Sequence, residues 1–416
     1  MQYRTILHSD LNNFYASVEC MLNPELKKYP VAVCGKVEER HDIVLAKNYA
    51  AKNMGVKTGE AIIQAKCKCP NLVTVEPHYR EYIKFSRLVR QIYMEYTDKV
   101  EAYGMDENWL DVTGSELVFG SGEKIANEIR ERIKFELGLT VSVGVSFNKI
   151  FAKLGSDMKK PDAVTCITPD NFREKVWGLP AEDMLGVGHA AGKVLRMYGI
   201  HTIGELAQGN DELLALKFGI NGARMKRYAN GEDYSDVMDS SYHYPIKTIG
   251  NGVTFLSDLH SNEEVQPMIL ALSDRVARRL RQEKMKARGL ALMVKCNDLS
   301  WKEWQMTLEY PSQNTGEIST RVYEKFRKEY PWVKPLRAMG VRAIRLVDEN
   351  APEQISFFHD MESMVKTEAV DKAVDLIRSR FGSNAIKPAT TLKLDKMPRF
   401  DDEIELTIPT GMLTFA

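Results

Sequence analysis

Apolar residues recur along this chain in runs whose spacing switches between two and three-to-four residues, and each switch marks an element. Residues 3–9 read as a buried strand, and 13–21 as a helix with Phe14, Tyr15, Val18 and Met21 at helical spacing. Residues 31–34 and 43–45 read as short strands, and 48–54 as a helix stopped by Gly55. A longer helix over 79–96 carries Tyr82, Phe85, Leu88, Val89, Ile92 and Tyr93 along one side. Residues 100–103 and 109–112 then read as the arms of a hairpin with Asp106 and Glu107 at its turn. A helix over 122–137 and a strand over 140–145 complete a mixed unit that ends near Thr168.

From Pro169 to about Tyr234 the pattern is wholly helical and broken by glycines, which predicts a compact helical module. A polar stretch, 235–245, reads as a linker. Beyond it, strands at 247–255, 290–296, 304–308 and 337–346 alternate with helices at about 262–284 and 314–329. Two strand-helix-strand halves predict a split βαβ sandwich. The residues from Ala351 onward mix charge, a short apolar motif and one amphipathic stretch, and read as a tail. The fold class expected is therefore α+β, in two to four domains for a chain of 416 residues.

Composition narrows the function classes. Lysine plus arginine number 57, and aspartate plus glutamate also number 57. That balance argues against a generically basic protein, so any nucleic-acid surface must come from local segregation of charge. No apolar run of about 18 or more residues occurs, and the N-terminus lacks a charged-then-apolar leader pattern. The chain thus reads as cytoplasmic, without a membrane partner. Six cysteines are scattered, and only Cys67 and Cys69 lie close. Their spacing is tighter than usual zinc sites, so they read as reduced thiols, with structural zinc the lesser alternative. Histidine is sparse, with no His-x-x-x-His pair. A catalytic metal here would be oxygen-ligated, which favours magnesium or manganese.

The candidate chemistry lies in Asp10, Asp106 and Glu107. Acids among apolar strand residues are costly unless a cation or hydrogen bonds compensate them. A strand-end acid and a hairpin-turn pair suit two hard cations held side by side for phosphoryl or nucleotidyl transfer. An Asp-Glu pair in a turn is more often plain solvated surface; the setting of Asp10, with no nearby cation in sequence, is the more telling part.

Four stretches carry a family resemblance. They are Asp10-x-x-x-Phe14-Tyr15-Ala16-Ser17-Val18-Glu19, Lys47-Asn48-Tyr49-Ala50-Ala51-Lys52, Met105-Asp106-Glu107-Asn108-Trp109-Leu110-Asp111, and residues 142–153 from Ser142 through Asn148 to Lys153. In this order they resemble the successive motifs of the Y-family DNA polymerases, in the bacterial DNA polymerase IV branch, over residues 1 to about 350. The resemblance implies a right-hand polymerase that copies DNA past damaged bases with low fidelity. It implies a palm of residues 1–19 and 78–168, fingers of 20–77, a thumb of 169–234, a linker of 235–245, a little finger of 246–350 and a tail of 351–416.

Residue by residue, the resemblance implies that Asp10, Asp106 and Glu107, with the carbonyl of Leu11, bind two Mg2+ ions, Mn2+ being possible in their place. Glu107 would lie nearest the primer 3′-hydroxyl. Tyr15 matches the position whose ring excludes a ribose 2′-hydroxyl, with Phe14 beside the nucleotide or packed in the core. Tyr49, Lys52 and Lys160 would meet the triphosphate. Position 52 departs from the usual arginine, exchanging a planar fork for a point charge. Asn12 stands where many relatives carry a second aspartate. Gly186 and Gly188, with Lys193, resemble the thumb's phosphate-gripping hairpin, although turns require glycine anyway.

The stretch 275–288 carries Arg275, Arg278, Arg279, Arg281, Lys284, Lys286 and Arg288 against one acid, Glu283. It reads either as a solvated helix face or as the DNA-gripping part of the little finger. Gln354, Phe357 and Phe358 resemble a sliding-clamp-binding peptide, against which stands a tail packed on its own domain. The partners implied are primer-template DNA, deoxynucleoside triphosphates and a sliding clamp, for a monomeric enzyme. Two other readings compete: a nucleotide cyclase on a similar palm, and a clamp-tethered DNA-binding scaffold without catalysis.

Overall fold

The structure, a computed structural model, describes residues 3–35, 43–242, 244–352, 361–392 and 395–398. Its contacts divide the chain into two compact units that part between Tyr244 and Pro245.

The first unit begins with β1 (Ile6–Leu11), every residue of which is buried, and α1 (Phe14–Leu22). Asn13 joins them in the left-handed region at φ 48°, a conformation asparagine tolerates better than most residues, so the chain reverses within two residues. There follow β2 (Val31–Cys34), β3 (Val44–Lys47), α2 (Tyr49–Asn53), α3 (Ile62–Lys68) and β4 (Val73–Val75). These build a small sheet in the order β3-β2-β4 over their own apolar cluster, which includes Val44, Ala51, Ile62 and Leu72.

Next come α4 (Tyr79–Met94), β5 (Val100–Ala102), β6 (Glu107–Asp111), α5 (Glu116–Phe119), α6 (Gly122–Leu137), β7 (Val141–Ser146), α7 (Lys149–Met158) and β8 (Val164–Ile167). They form a five-stranded sheet ordered β5-β6-β1-β7-β8, with β1 at its centre. Apolar faces of α4 and α6 cover it through Tyr82, Val89, Tyr93, Ile125, Ile129 and Ile133. Helix α7 lies unusually close to β7. A Cβ added to Gly144 would stand 1.9 Å from the Ala152 carbonyl oxygen, so only glycine permits that approach.

The helical module holds α8 (Phe172–Val176), α9 (His189–Met197), α10 (Ile203–Ala207), α11 (Asp211–Phe218) and α12 (Ile220–Ala229) around a core that includes Leu195, Ile203, Leu206 and Met225. The segment after α12 is not the free linker expected from its composition. The Glu101 carboxylate receives the Met238 N–H at 2.9 Å and the Tyr244 hydroxyl at 3.0 Å. Arg90 donates to the Ser240 carbonyl at 3.0 Å, and Val237 is buried with Ile6 and Trp109. Polar residues here read as a linker because their partners lie far away in sequence.

The second unit contains β9 (Ile249–Leu259), α13 (Asn262–Gln282), β10 (Met285–Cys296), β11 (Trp301–Ser312), α14 (Thr315–Glu329), β12 (Leu336–Asp348) and α15 (Met361–Phe381). Its sheet runs β11-β10-β12-β9 with every neighbour antiparallel. Strands β9 and β10, joined by α13, are therefore parallel with β12 between them, and β11 and β12 are likewise split by β10. That is the split βαβ arrangement expected from the sequence. Helices α13 and α14 bury Val265, Leu272, Val276, Ile318, Val322 and Phe326 against one sheet face.

Much of the expected tail folds back on this unit. Helix α15 docks on α13 through ion pairs, and Met397 is 7% exposed within the same core. Gln354, Phe357 and Phe358 lie outside the described residues. Among the described residues no helix is long and apolar enough to cross a membrane.

Candidate active site

Strand pairing assembles the acids. Asp10, the fifth residue of β1, stands directly opposite Glu107, the first residue of β6. The Leu11 N–H donates to the Asp106 carbonyl at 3.0 Å, pulling the hairpin turn against the end of β1. On its other side β1 pairs with β7, setting Asp10 opposite Ser142. Asp10 is 6% exposed. Three acids separated by nearly a hundred residues thus converge where the two interior strands β1 and β6 meet at one end of the sheet.

Helix α7 and the turn that follows it supply the countercharge. The Lys153 ammonium lies 2.6 Å from Glu107 Oε1 and 3.7 Å from Asp10 Oδ2, and Lys160 Nζ lies 2.7 Å from the same Asp10 oxygen. Asp157 touches both lysines, at 3.3 Å and 2.8 Å. Burial works against each ammonium, but the surrounding carboxylates lift both lysines above their ordinary pKa. Among the described residues no three acids form a ready cation cage, and lysines engage the carboxylates of Asp10 and Glu107.

Asp106 and Glu107 are nonetheless hard to ionise here. Burial, reinforced by the Asp10 charge, pushes the Asp106 carboxyl up to about 6. Burial likewise pushes Glu107 up to about 7, outweighing the pull of Lys153 while Asp10 adds to the push. Behind them His8 is wholly buried and held well below its usual pKa by burial, with Lys153, Lys160 and Lys149 adding. Ser156 Oγ donates to the Lys153 carbonyl at 2.7 Å and so accepts from His8 Nδ1 at 2.9 Å. That tautomer leaves the Nε2 lone pair, 4.0 Å from Glu107 Oε2, without a partner. The donor set is all hard oxygen, with its negative charge answered in this structure by Lys153 and Lys160, and hard oxygen donors fit a hard divalent cation.

Around the acids the structure gathers most of the other candidates of this unit. Tyr15 is half-buried, and its phenol is raised by burial first, then by Tyr79 and by the nearby charge of Asp106. Tyr49 is raised by burial, with Lys160 opposing and Asp10 adding, which sets it beside both. Lys52 is exposed, and its ammonium lies 5.5 Å from the centre of the Tyr49 ring. Phe14 is different: at 3% exposure it packs against Tyr15 and Tyr82 in the core, so it supports the site and offers no surface to a nucleotide. Asn12 has its own task. Its Oδ1 accepts the Asp162 N–H at 2.9 Å and its Nδ2 donates to Ser142 Oγ, fastening the Lys160 loop to β1.

Sequence reasoning left Lys153, Asp157, His8 and Tyr82 without roles. The i, i+4 spacing of Lys153 and Asp157 was the available signal, but it is common on any helix surface.

Farther off in this unit, Gly186 adopts φ +90°, Gly188 caps α9, and Lys193 is exposed on that helix. In the second unit the basic helix departs from an open phosphate-binding face. Arg281 is half-buried, and its guanidinium donates to Asp375 at 2.6 and 3.1 Å and to Asp371 at 3.2 Å. Arg278 reaches Ser383 and Arg279 the Gly250 carbonyl, while Arg275 is half-buried. Alternation in sequence could not show this, because the acids that answer Arg281 lie on α15 and the partners of Arg278 and Arg279 are also distant in sequence.

Two family models match the chain: the impB/mucB/samB family over residues 9–157 and the impB/mucB/samB family C-terminal domain over 246–357. The DNA polymerase IV of Acetivibrio thermocellus is 51% identical over 390 residues, covering 94% of this chain and 98% of that protein. The DNA polymerase IV 1 of Bacillus subtilis is 36% identical, covering 94% of each. Among solved structures, a Y-family DNA polymerase chimera of Dbh and Dpo4 superposes with a TM-score of 0.73 at 23% identity, covering 83% of this chain and 99% of that one. With the acid-bearing sheet, the split βαβ unit and relatives matched almost end to end, the chain belongs to the impB/mucB/samB family, in the DNA polymerase IV branch of the Y-family polymerases.

Proposed function

We propose that Asp10, Asp106 and Glu107, with the Leu11 carbonyl, hold two divalent cations, magnesium or manganese, at the end of β1. The observation that supports this most is the direct pairing of Asp10 with Glu107 while the Asp106 peptide bonds to Leu11. The chain is a DNA-directed DNA polymerase of the translesion kind; it acts on primer-template DNA and deoxynucleoside triphosphates, and its family depends on divalent metal. Bound there, the ions supply nucleophile activation and charge stabilisation for an in-line displacement by the primer 3′-hydroxyl. Glu107 is the acid nearest that hydroxyl.

The protein's own residues do the rest. Lys153 and Lys160 neutralise the acids in the structure described here and must give them up when a cation enters. Lys160 then turns, with Tyr49 and Lys52, to the triphosphate, whose charge a phenol and two ammonium groups balance. Tyr15 stands where the sugar of the incoming nucleotide lies, and its ring excludes a 2′-hydroxyl by overlap. In this reading residues 1–19 and 78–168 are the palm, 20–77 the fingers, 169–234 the thumb and 246–350 the little finger. Gly186, Gly188 and Lys193 meet DNA phosphates in the thumb, and Arg275, Arg278 and Arg279 are the little-finger candidates. Arg281 is engaged by Asp371 and Asp375 instead. Gln354, Phe357 and Phe358 tether the enzyme, as a monomer, to a sliding clamp.

Manganese binding to the protein alone tests the metal assignment by electron paramagnetic resonance. Wild type should titrate the ion, and Asp10→Asn and Asp106→Asn should each weaken binding by about tenfold or more. Unchanged binding in both variants would refute the site.

A further inference from the structure

A ring can exclude a 2′-hydroxyl only as firmly as it resists being pushed aside. A clash of a few tenths of an ångström is relieved by a small tilt unless something stands behind the ring. In this protein something does. The Tyr82 ring, fully buried on α4, stacks on Tyr15 with centroids 4.2 Å apart and planes within 10°. Tyr79, one helical turn before it, meets both rings edge-on at 5.9 and 5.7 Å.

Tyr82 is itself anchored. Its hydroxyl donates to Glu19, which also receives the His78 backbone N–H at 3.3 Å and lies 3.0 Å from His78 Nδ1. Glu19 sits on α1 one turn after Tyr15 and is 3% exposed. A buried carboxylate with several donors is a rigid post, because releasing any donor leaves a desolvated charge less satisfied. The chain of contacts therefore runs from Tyr15 through a parallel stack to Tyr82, and through a hydrogen bond back to the helix that carries Tyr15. This closed loop joins α1 and α4 at the one ring that must not move.

We propose that Tyr82, fixed by Glu19, is the positioning residue that holds the Tyr15 ring in place and so sets how strictly ribonucleotides are rejected. The proposal rests on the reading of Tyr15 as the sugar-excluding residue. Tyr82 touches no substrate; it acts through Tyr15 alone. Fold stability and sugar choice are therefore separable, since a residue that merely packs would change incorporation of both sugars together.

The test is single-nucleotide primer extension by the full chain with magnesium, comparing kcat/KM for a deoxynucleotide and the ribonucleotide of the same base. Tyr82→Leu removes the stack and should lower discrimination by about three- to tenfold, the range an aromatic pair spans. Tyr82→Phe keeps the ring but frees it from Glu19, and should produce a smaller fall in the same direction. Adding Tyr82→Leu to Tyr15→Ala should change the ratio no further than Tyr15→Ala alone. A wild-type ratio in either Tyr82 variant, with Tyr15→Ala collapsing it, overturns the proposal and leaves the Tyr15 reading intact. A wild-type ratio in Tyr15→Ala overturns both. If Tyr82→Leu fails to fold, the ratio measured for Tyr82→Phe decides.

Discussion

Burial sets the behaviour of the acids before any cation arrives. A carboxyl whose pKa is raised on folding favours the folded state fully below its unfolded pKa, and that advantage is lost as pH rises through the folded value. With Asp106 near 6 and Glu107 near 7, the metal-free protein should lose stability between about pH 4 and pH 8. Asp106→Asn removes one buried charge and its repulsion with Asp10. In chelator it should therefore be more stable than wild type at pH 8, by about 1–3 kcal/mol, with the gap closing toward pH 4. Thermal melts across that range check it, and a less stable variant at pH 8 would contradict the electrostatics. Protons and cations compete for the same oxygens, so manganese binding should weaken from pH 8 to pH 6. At this scale the sequence was legible where chemistry is unusual for its setting: an acid among strand residues, a tyrosine five places later. Lys153 and Tyr82 were not legible, because a lysine or tyrosine at helical spacing looks like solvated surface or core. Asn12 was seen only as a missing acid, whereas its amide fastens two segments that meet only in the folded chain.

Helices and strands followed from periodicity, with their ends shifting by a few residues. The first strand starts at Ile6 and runs through Asp10 to Leu11, later than its apolar run suggested, because pairing with β6 and β7 determines where it stops. The clearest gap between pattern and structure is α13. Its basic run looked like an exposed stripe, yet α15 places Asp371 and Asp375 against Arg281, and Arg378 of α15 returns to Asp274 at 2.8 Å. Asp371 also accepts from the Thr315 N–H at 2.9 Å, placing negative charge at the start of α14, where the helix dipole favours it. Asp371 thus ties three helices together. Removing one partner of this partly buried pair leaves the other less well compensated. Arg281→Ala and Asp375→Ala should each destabilise the second unit by about 1–3 kcal/mol, and the double variant by clearly less than their sum. Additive losses in denaturant unfolding would show that the two side chains do not interact.

By its contacts the chain divides into two compact units. Residues 235–244 looked free because they are polar, but Arg4, Arg90, Glu101 and Lys149 are the groups that bind them, all far away in sequence. The same limitation concealed the return of residues 361–392 and 395–398 to the second unit. Local pattern reveals elements, and only tertiary pairing reveals which polar groups are already satisfied. In the function proposed above, catalysis depends most on the acids that β1 and β6 bring together. Primer extension on a defined template with magnesium measures that directly, with wild type, Asp106→Ala and Glu107→Ala compared at equal folded concentration. Wild type should add deoxynucleotides in template order, and each variant should lose about a thousandfold or more in rate. Extension at near wild-type rate by both variants would contradict the acid trio as the centre of catalysis.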